Sequence, residues 1–187
     1  MKDTKYKLSS LTIALHWIIG ITIIGLLALG KYMESNEAYA LYDIHKSIGM
    51  IIITFVLARV FWRILNGWPE PASNYSNIEH MTAKVVHWTL ILGTVALPIS
   101  GVLMSGAGGH GLAIFGWELL AENIDPNNLE EVVPLNKTLA GLGHEIHEIT
   151  GNVMIIAIML HLFGALKHHI IDKDGTLKRM LGKTIGE

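Results

Sequence analysis

Four long apolar stretches, separated by polar ones, run along this chain of 187 residues. The first, residues 11–30, contains a single ionisable side chain, His16. The second, residues 44–64, is apolar except for His45, Lys46, Arg59 and Arg63 near its ends. The third, residues 85–104, carries His87 near its start and Pro98 inside; the fourth, residues 147–166, begins at His147. About twenty residues of helix cross a hydrocarbon core of about 30 Å, so each stretch is expected to be a membrane-spanning helix. The connections are polar, and the one from Ser105 to Ile146 is long. No repeat or composition break divides the chain. The pattern predicts an all-α membrane protein, a four-transmembrane-helix bundle in one domain covering residues 1–187.

A small-residue cleavage motif, Ala38-Tyr39-Ala40, follows the first stretch. The apolar run is too long for a leader and the motif lies well beyond it, so the stretch is expected to be retained as a span.

Composition narrows the chemistry. Apolar residues make up 51% and charged residues only 16%. The absence of cysteine excludes disulfides, thiolate catalysis, iron–sulfur clusters and covalent haem attachment. No basic stretch suits nucleic acid. Eleven of the fourteen Lys and Arg fall in the N-terminal segment, in and around the second connection, and in the C-terminal tail. That bias places both termini in the cytoplasm. The opposite side holds only Lys31, Lys46 and Lys137, against ten carboxylates.

With that orientation the histidines sort by depth. His16 and His161 lie at the inner level, His45 and His147 at the outer. His147 and His161 share one helix fourteen residues apart, which puts them about 40° apart in azimuth and roughly 21 Å apart along the axis. Ionisable groups inside a bilayer are costly and mark functional sites. The pairs His45–His147 and His16–His161 are therefore expected to hold two haems, one above the other. Gly20, Gly49 and Gly151 follow His16, His45 and His147 by four residues, and Ala165 follows His161. A minimal side chain one turn along the same face lets a flat macrocycle approach the helix backbone. None of the other six histidines has a small residue there. Bis-histidine ligation leaves no open iron position, so outer-sphere electron transfer is expected and no catalytic side chain is singled out.

Other polar groups have two readings. Arg59 and Arg63, one turn apart, either snorkel to lipid headgroups or pair with inner haem propionates. His87, also at the inner level, is a packing residue, a substitute ligand or a hydrogen-bond partner for a quinone; His168, beyond His161, is a second candidate contact for that quinone. A histidine-lined metal or proton carrier is the competing class, but the spans lack the Asp and Glu such paths use.

Several short motifs, in order over all four spans, carry a family likeness: A-L-H-W in the first, D-I-H-K-S-I-G opening the second and A-L-P-I-S-G in the third. The strongest is H-E-I-H-E followed by L-H-L-F-G-A-L-K-H-H and K-D-G-T-L-K-R-M. By these the chain resembles the bacterial cytochrome b561 family. The resemblance implies a multi-pass protein of the bacterial inner membrane with two bis-histidine haem b groups. His16, His45, His147 and His161 would be the ligands. It also implies electron transfer between an outer donor and the quinone pool, as a superoxide:ubiquinone oxidoreductase, or as an anchor subunit of a larger redox complex. A homodimer or a redox-complex partner is compatible with either role. The acidic outer face argues against superoxide, an anion.

Overall fold

The computed structural model describes residues 2–73 and 75–186. Four helices are long and apolar enough to cross a membrane: α1 (Ser10–Asn36), α2 (Tyr42–Asn66), α3 (Asn77–Ala107) and α4 (Lys137–Ile170), with a short α5 (Thr176–Met180) in the tail. Each outruns its apolar stretch because local polar chemistry sets its end. The Ser9 hydroxyl caps α1 by accepting from the Thr12 amide, and Asn136 caps α4 by accepting from Leu139. Ser76 and Glu79 close a reciprocal capping box at the start of α3. Gly67, at φ 74°, ends α2.

The apolar core is small. Leu15, Ile19, Ile23 and Leu26 form a stripe along α1 that meets Ile52 and Val56 of α2, Leu97 of α3 and Met154 of α4. Spacings of four, four and three keep that stripe on one face. Most other large apolar side chains of the four helices point outward, as they do where lipid rather than water surrounds a bundle.

The connection between α3 and α4, which hydropathy leaves as a plain loop, folds into two β-hairpins. β1 (Leu112–Ile114) pairs with β2 (Trp117–Leu120), and β3 (Ile124–Asp125) with β4 (Asn128–Val132), both antiparallel. The fold is thus mostly helical rather than purely so. The first hairpin lies against the start of α2, where Ser47 accepts from the Phe115 amide at 2.9 Å.

Both chain ends lie at one end of the bundle, called here the terminal end, and the hairpins at the distal end. The terminal end is tied together over long sequence distances. Buried Arg179 donates to the carbonyls of Lys5 and Glu70, Ile185 donates to Tyr6, and the Trp17 indole donates to Met180. Arg63 donates to Asp3 and Thr12.

Candidate cofactor site

The four sequence-selected histidines meet in two pairs. The rings of His45 and His147 lie 6.2 Å apart between centroids, and those of His16 and His161 6.1 Å. Each pair joins α4 to the α1–α2 side of the bundle. Because α4 runs unbroken from Lys137 to Ile170, the fourteen-residue spacing keeps its two histidines on one face at two levels. Two imidazoles bound on opposite sides of one metal, with bonds of about 2 Å and each ring centre roughly 1 Å further back, place their centroids roughly 6 Å apart. Both pairs fit that span.

The spaces around the pairs also fit a flat group. A Cβ added at Gly20 or Gly49 would meet no protein atom within 4 Å, and one at Gly151 would meet only Leu27 at 3.8 Å. His45 Nδ1 is buried with no hydrogen-bond partner among the described residues, an unmet bonding need of the kind native interiors rarely leave.

His147 sits in a cradle that hydropathy does not reveal. Its Nδ1 lies 2.9 Å from the Leu97 carbonyl and 3.1 Å from the Ser100 hydroxyl. A Cβ on Gly101 would stand 3.3 Å from the ring. A carbonyl can only accept, so Nδ1 carries the proton and the Nε2 lone pair is left for a metal. Leu97, Ser100 and Gly101 all belong to the A-L-P-I-S-G segment. A Gly–Ser pair inside an apolar helix was the available signal for them.

The remaining candidates separate by their partners. Arg59 makes no ion pair among the described residues and lies within electrostatic range of His16, His87 and His161. Arg63 is engaged by Asp3, Thr12 and the Gly67 carbonyl. His87 is exposed beside the His16–His161 pair, its ring 5.4 Å from that of His161. That is shorter than the span of two ligands across one metal.

His168 lies two turns beyond His161, outside the paired site. It contacts Asp172 at 2.8 Å and Asp174 at 3.5 Å, and its ring packs on Tyr75. Lys167 also binds Asp172 and Glu79, while Tyr75 and Thr176 donate to Asp174. The Asp172 carboxyl is held below the usual carboxylate range, chiefly by Lys167, against a smaller effect of burial. These carboxylates are therefore already paired.

At the distal end, a cavity of about 430 Å³ opens between the start of α2 and the first hairpin. Asp43, Glu118 and Glu122 line it together with Lys46, whose ammonium donates to the His110 carbonyl.

A four-span helical bundle with paired histidines at two depths is the architecture of a membrane cytochrome. The family model for prokaryotic cytochrome b561 matches residues 7–183, and the chain belongs to that family. It is 35% identical to cytochrome b561 homolog 2 of Escherichia coli K12 over 97% of this chain and 95% of that one. It is 27% identical to the probable superoxide oxidase CybB of Yersinia pestis, over 96% of this chain and 98% of that protein. With cytochrome b561 homolog 1 of Escherichia coli K12 it shares 26% identity over 94% of this chain. The protein is a multi-pass membrane cytochrome that binds haem b and carries electrons.

Proposed function

We propose that the chain holds two haem b groups, one between His45 and His147 and one between His16 and His161. Electrons then pass from a donor at the distal face to a quinone at the terminal face. The observation that carries this reading is the equal spacing of the two histidine pairs, 6.2 and 6.1 Å, at two levels of one helix. When bound, haem b supplies a one-electron couple at each level. The protein orients the ligands, keeps water from them and sets the local charge.

Arg59, without an ion pair among the described residues and close to His16 and His161, is the guanidinium suited to a haem propionate. Arg63 instead holds the N-terminal segment. His87, exposed beside the inner pair, can hydrogen-bond a quinone carbonyl. His168 is committed to Asp172 and Asp174 and fits that role less well.

The excess of Lys and Arg at the terminal end supports a cytoplasmic position for both termini, and so an orientation in a bacterial inner membrane with the distal face outward. The donor then approaches the acid-lined distal face. The name of the Yersinia relative keeps superoxide among the candidates, but the local charge favours a neutral or cationic donor over an anion.

Metal and haem analysis of the purified protein tests the count, with two haems per chain expected. Replacing His45 or His147 by Ala removes the distal group and leaves the other, and replacing His16 or His161 does the reverse. Four variants that each keep two haems with unchanged reduced-minus-oxidised spectra would refute the assignment. For the acceptor, His87→Phe slows quinone reduction while both haems bind and still accept electrons. Unimpaired turnover in that variant moves the quinone elsewhere.

A further inference from the structure

The first hairpin is amphipathic across its thickness, and the division is set by register. Ala113 pairs with Glu118, and Ile114 with Trp117; an irregularity after Leu112 turns Leu112 to the side of Leu120. Paired residues in an antiparallel ladder share a face. Leu112, Ala113, Glu118 and Leu120 thus line the distal cavity, and a Cβ on Gly106 of α3 would touch Leu120 and Leu112. The other face presents Ile114, Trp117 and Leu119 with no charge among them. Trp117 is 71% exposed and Phe115, at the tip, 65%.

The tip itself is unusual. Phe115 and Gly116 form the two-residue turn with φ of 48° and 86°, the mirror-image turn that Asn-Gly or Asp-Gly usually fills. A bulky aromatic residue at positive φ is strained, and such strain persists where the surroundings hold it in place. Here Ser47 holds it, through the Phe115 amide. A turn needed only for chain reversal has no use for Phe at this position.

Ser47 fixes the depth as well. It lies five residues into α2 and three past the start of its apolar stretch, about 4.5 Å along the axis, at the boundary between the headgroup layer and the hydrocarbon core. The neighbouring distal helix ends expose further aromatic residues: Tyr32 on α1, Tyr39 beside Tyr42, and Tyr42 itself opening α2. Ile44 and Ile51 of α2, three residues before and four after Ser47, are exposed as well, as apolar side chains of a membrane-spanning helix are where they face lipid.

We propose that the tip of the first hairpin, Phe115 with Trp117, is seated in the lipid headgroup layer at the distal face. It completes an aromatic belt there, since aromatic side chains favour the membrane interface. The hairpin's charged residue, Glu118, stays on the opposite face with the cavity, so insertion desolvates no carboxylate. The bilayer thereby holds in place the roof of the cavity through which a distal donor approaches.

The chain has no cysteine, so single cysteines can report positions without background. Spin labels are placed at Phe115→Cys, Trp117→Cys and, as control, Asn127→Cys in the turn of the second hairpin. The intact haem-loaded protein is reconstituted in vesicles of phosphatidylethanolamine and phosphatidylglycerol. The labels at 115 and 117 should collide readily with lipid-soluble oxygen and poorly with a water-soluble nickel chelate. The label at 127 should do the opposite. An unchanged haem spectrum confirms that each labelled protein is folded. If 115 and 117 matched 127, the tip would be in water and the proposal overturned. Protection from both reagents would show a protein contact instead, and would overturn it equally.

Discussion

His147 is fixed to α3 by its own Nδ1, which lies 2.9 Å from the Leu97 carbonyl. That bond sets the ring's tautomer and its azimuth about the helix, as outer hydrogen bonds commonly do for metal-binding histidines. It also gives the A-L-P-I-S-G segment of α3 a role beside His147. Leu97 accepts, Ser100 adds its hydroxyl at 3.1 Å, and Gly101 leaves room for the ring.

The cradle yields the first prediction. A Cβ at Gly101 would stand 3.3 Å from the ring, so Gly101→Val should displace His147 and lower occupancy of its haem alone. Ser100→Ala, which keeps the Leu97 bond, should bind fully and shift only that haem's midpoint potential. Redox titration with haem quantitation reads both. Equal loss at both levels in Gly101→Val would mean general unfolding rather than a local push.

Gly20 and Gly49 give a test that protein sterics cannot confuse. A Cβ at either position would meet nothing in the protein within 4 Å, and the same holds for Gly25 on another face of α1. A substitution therefore starts from equal backbone clearance at all three, and alanine at each position serves as the steric control. If a macrocycle edge lies against Gly20 and Gly49, leucine there reduces haem at its own level, and leucine at Gly25 does not. Haem content by pyridine haemochromogen measures this. Uniform tolerance would return these glycines to ordinary packing.

The parts of the fold that follow from hydropathy were legible: the four spans, and the pairing of histidines by depth. Others were not, because their signals are weak or distant. α4 begins at Lys137, ten residues before its apolar run, because Asn136 caps it there, while Lys137, His144 and Glu145 keep its first turns out of the hydropathy pattern. The first hairpin lacks the Asn-Gly signature, as Phe occupies the turn. The tie between Asp3 and Arg63 spans sixty residues, and no local pattern announces it. Arg63 accordingly proved to be held by the N-terminal segment, while Arg59, one turn away, lies near His16, His87 and His161.

The α3–α4 contact depends on two glycines with different neighbours. A Cβ at Gly143 would meet the Met104 amide nitrogen at 2.7 Å, whereas one at Gly93 would meet the Met154 sulfur. Backbone cannot step aside as a thioether can. Gly143→Ala should thus cost roughly 1–3 kcal/mol, the usual range for overpacking, and Gly93→Ala less. Gly143 is also one turn from His147, so the distal haem should be released first on heating. Thermal loss of haem absorbance, followed at wavelengths that separate the two groups, checks the order.

The final prediction concerns pH and the N-terminal segment. Burial pushes the Asp3 carboxyl up, but the Arg63 bond, with donors from Ser9 and Thr12, outweighs it and leaves the group below its ordinary value. A carboxyl depressed on folding adds stability that is fully present above its unfolded value and is lost as pH falls through the folded one. Near neutral pH, Asp3→Asn should therefore destabilise the terminal end, because it leaves the Arg63 guanidinium, 13% exposed, without its charge partner. Breaking one half of such a pair costs about 3 kcal/mol where it is well buried. In acid the wild-type protein loses the same contribution, and the two melting curves should converge as pH drops below about 4. The measurement is the midpoint of thermal denaturation in detergent across a pH series. A gap of constant size throughout would show that Asp3 acts through shape rather than through charge.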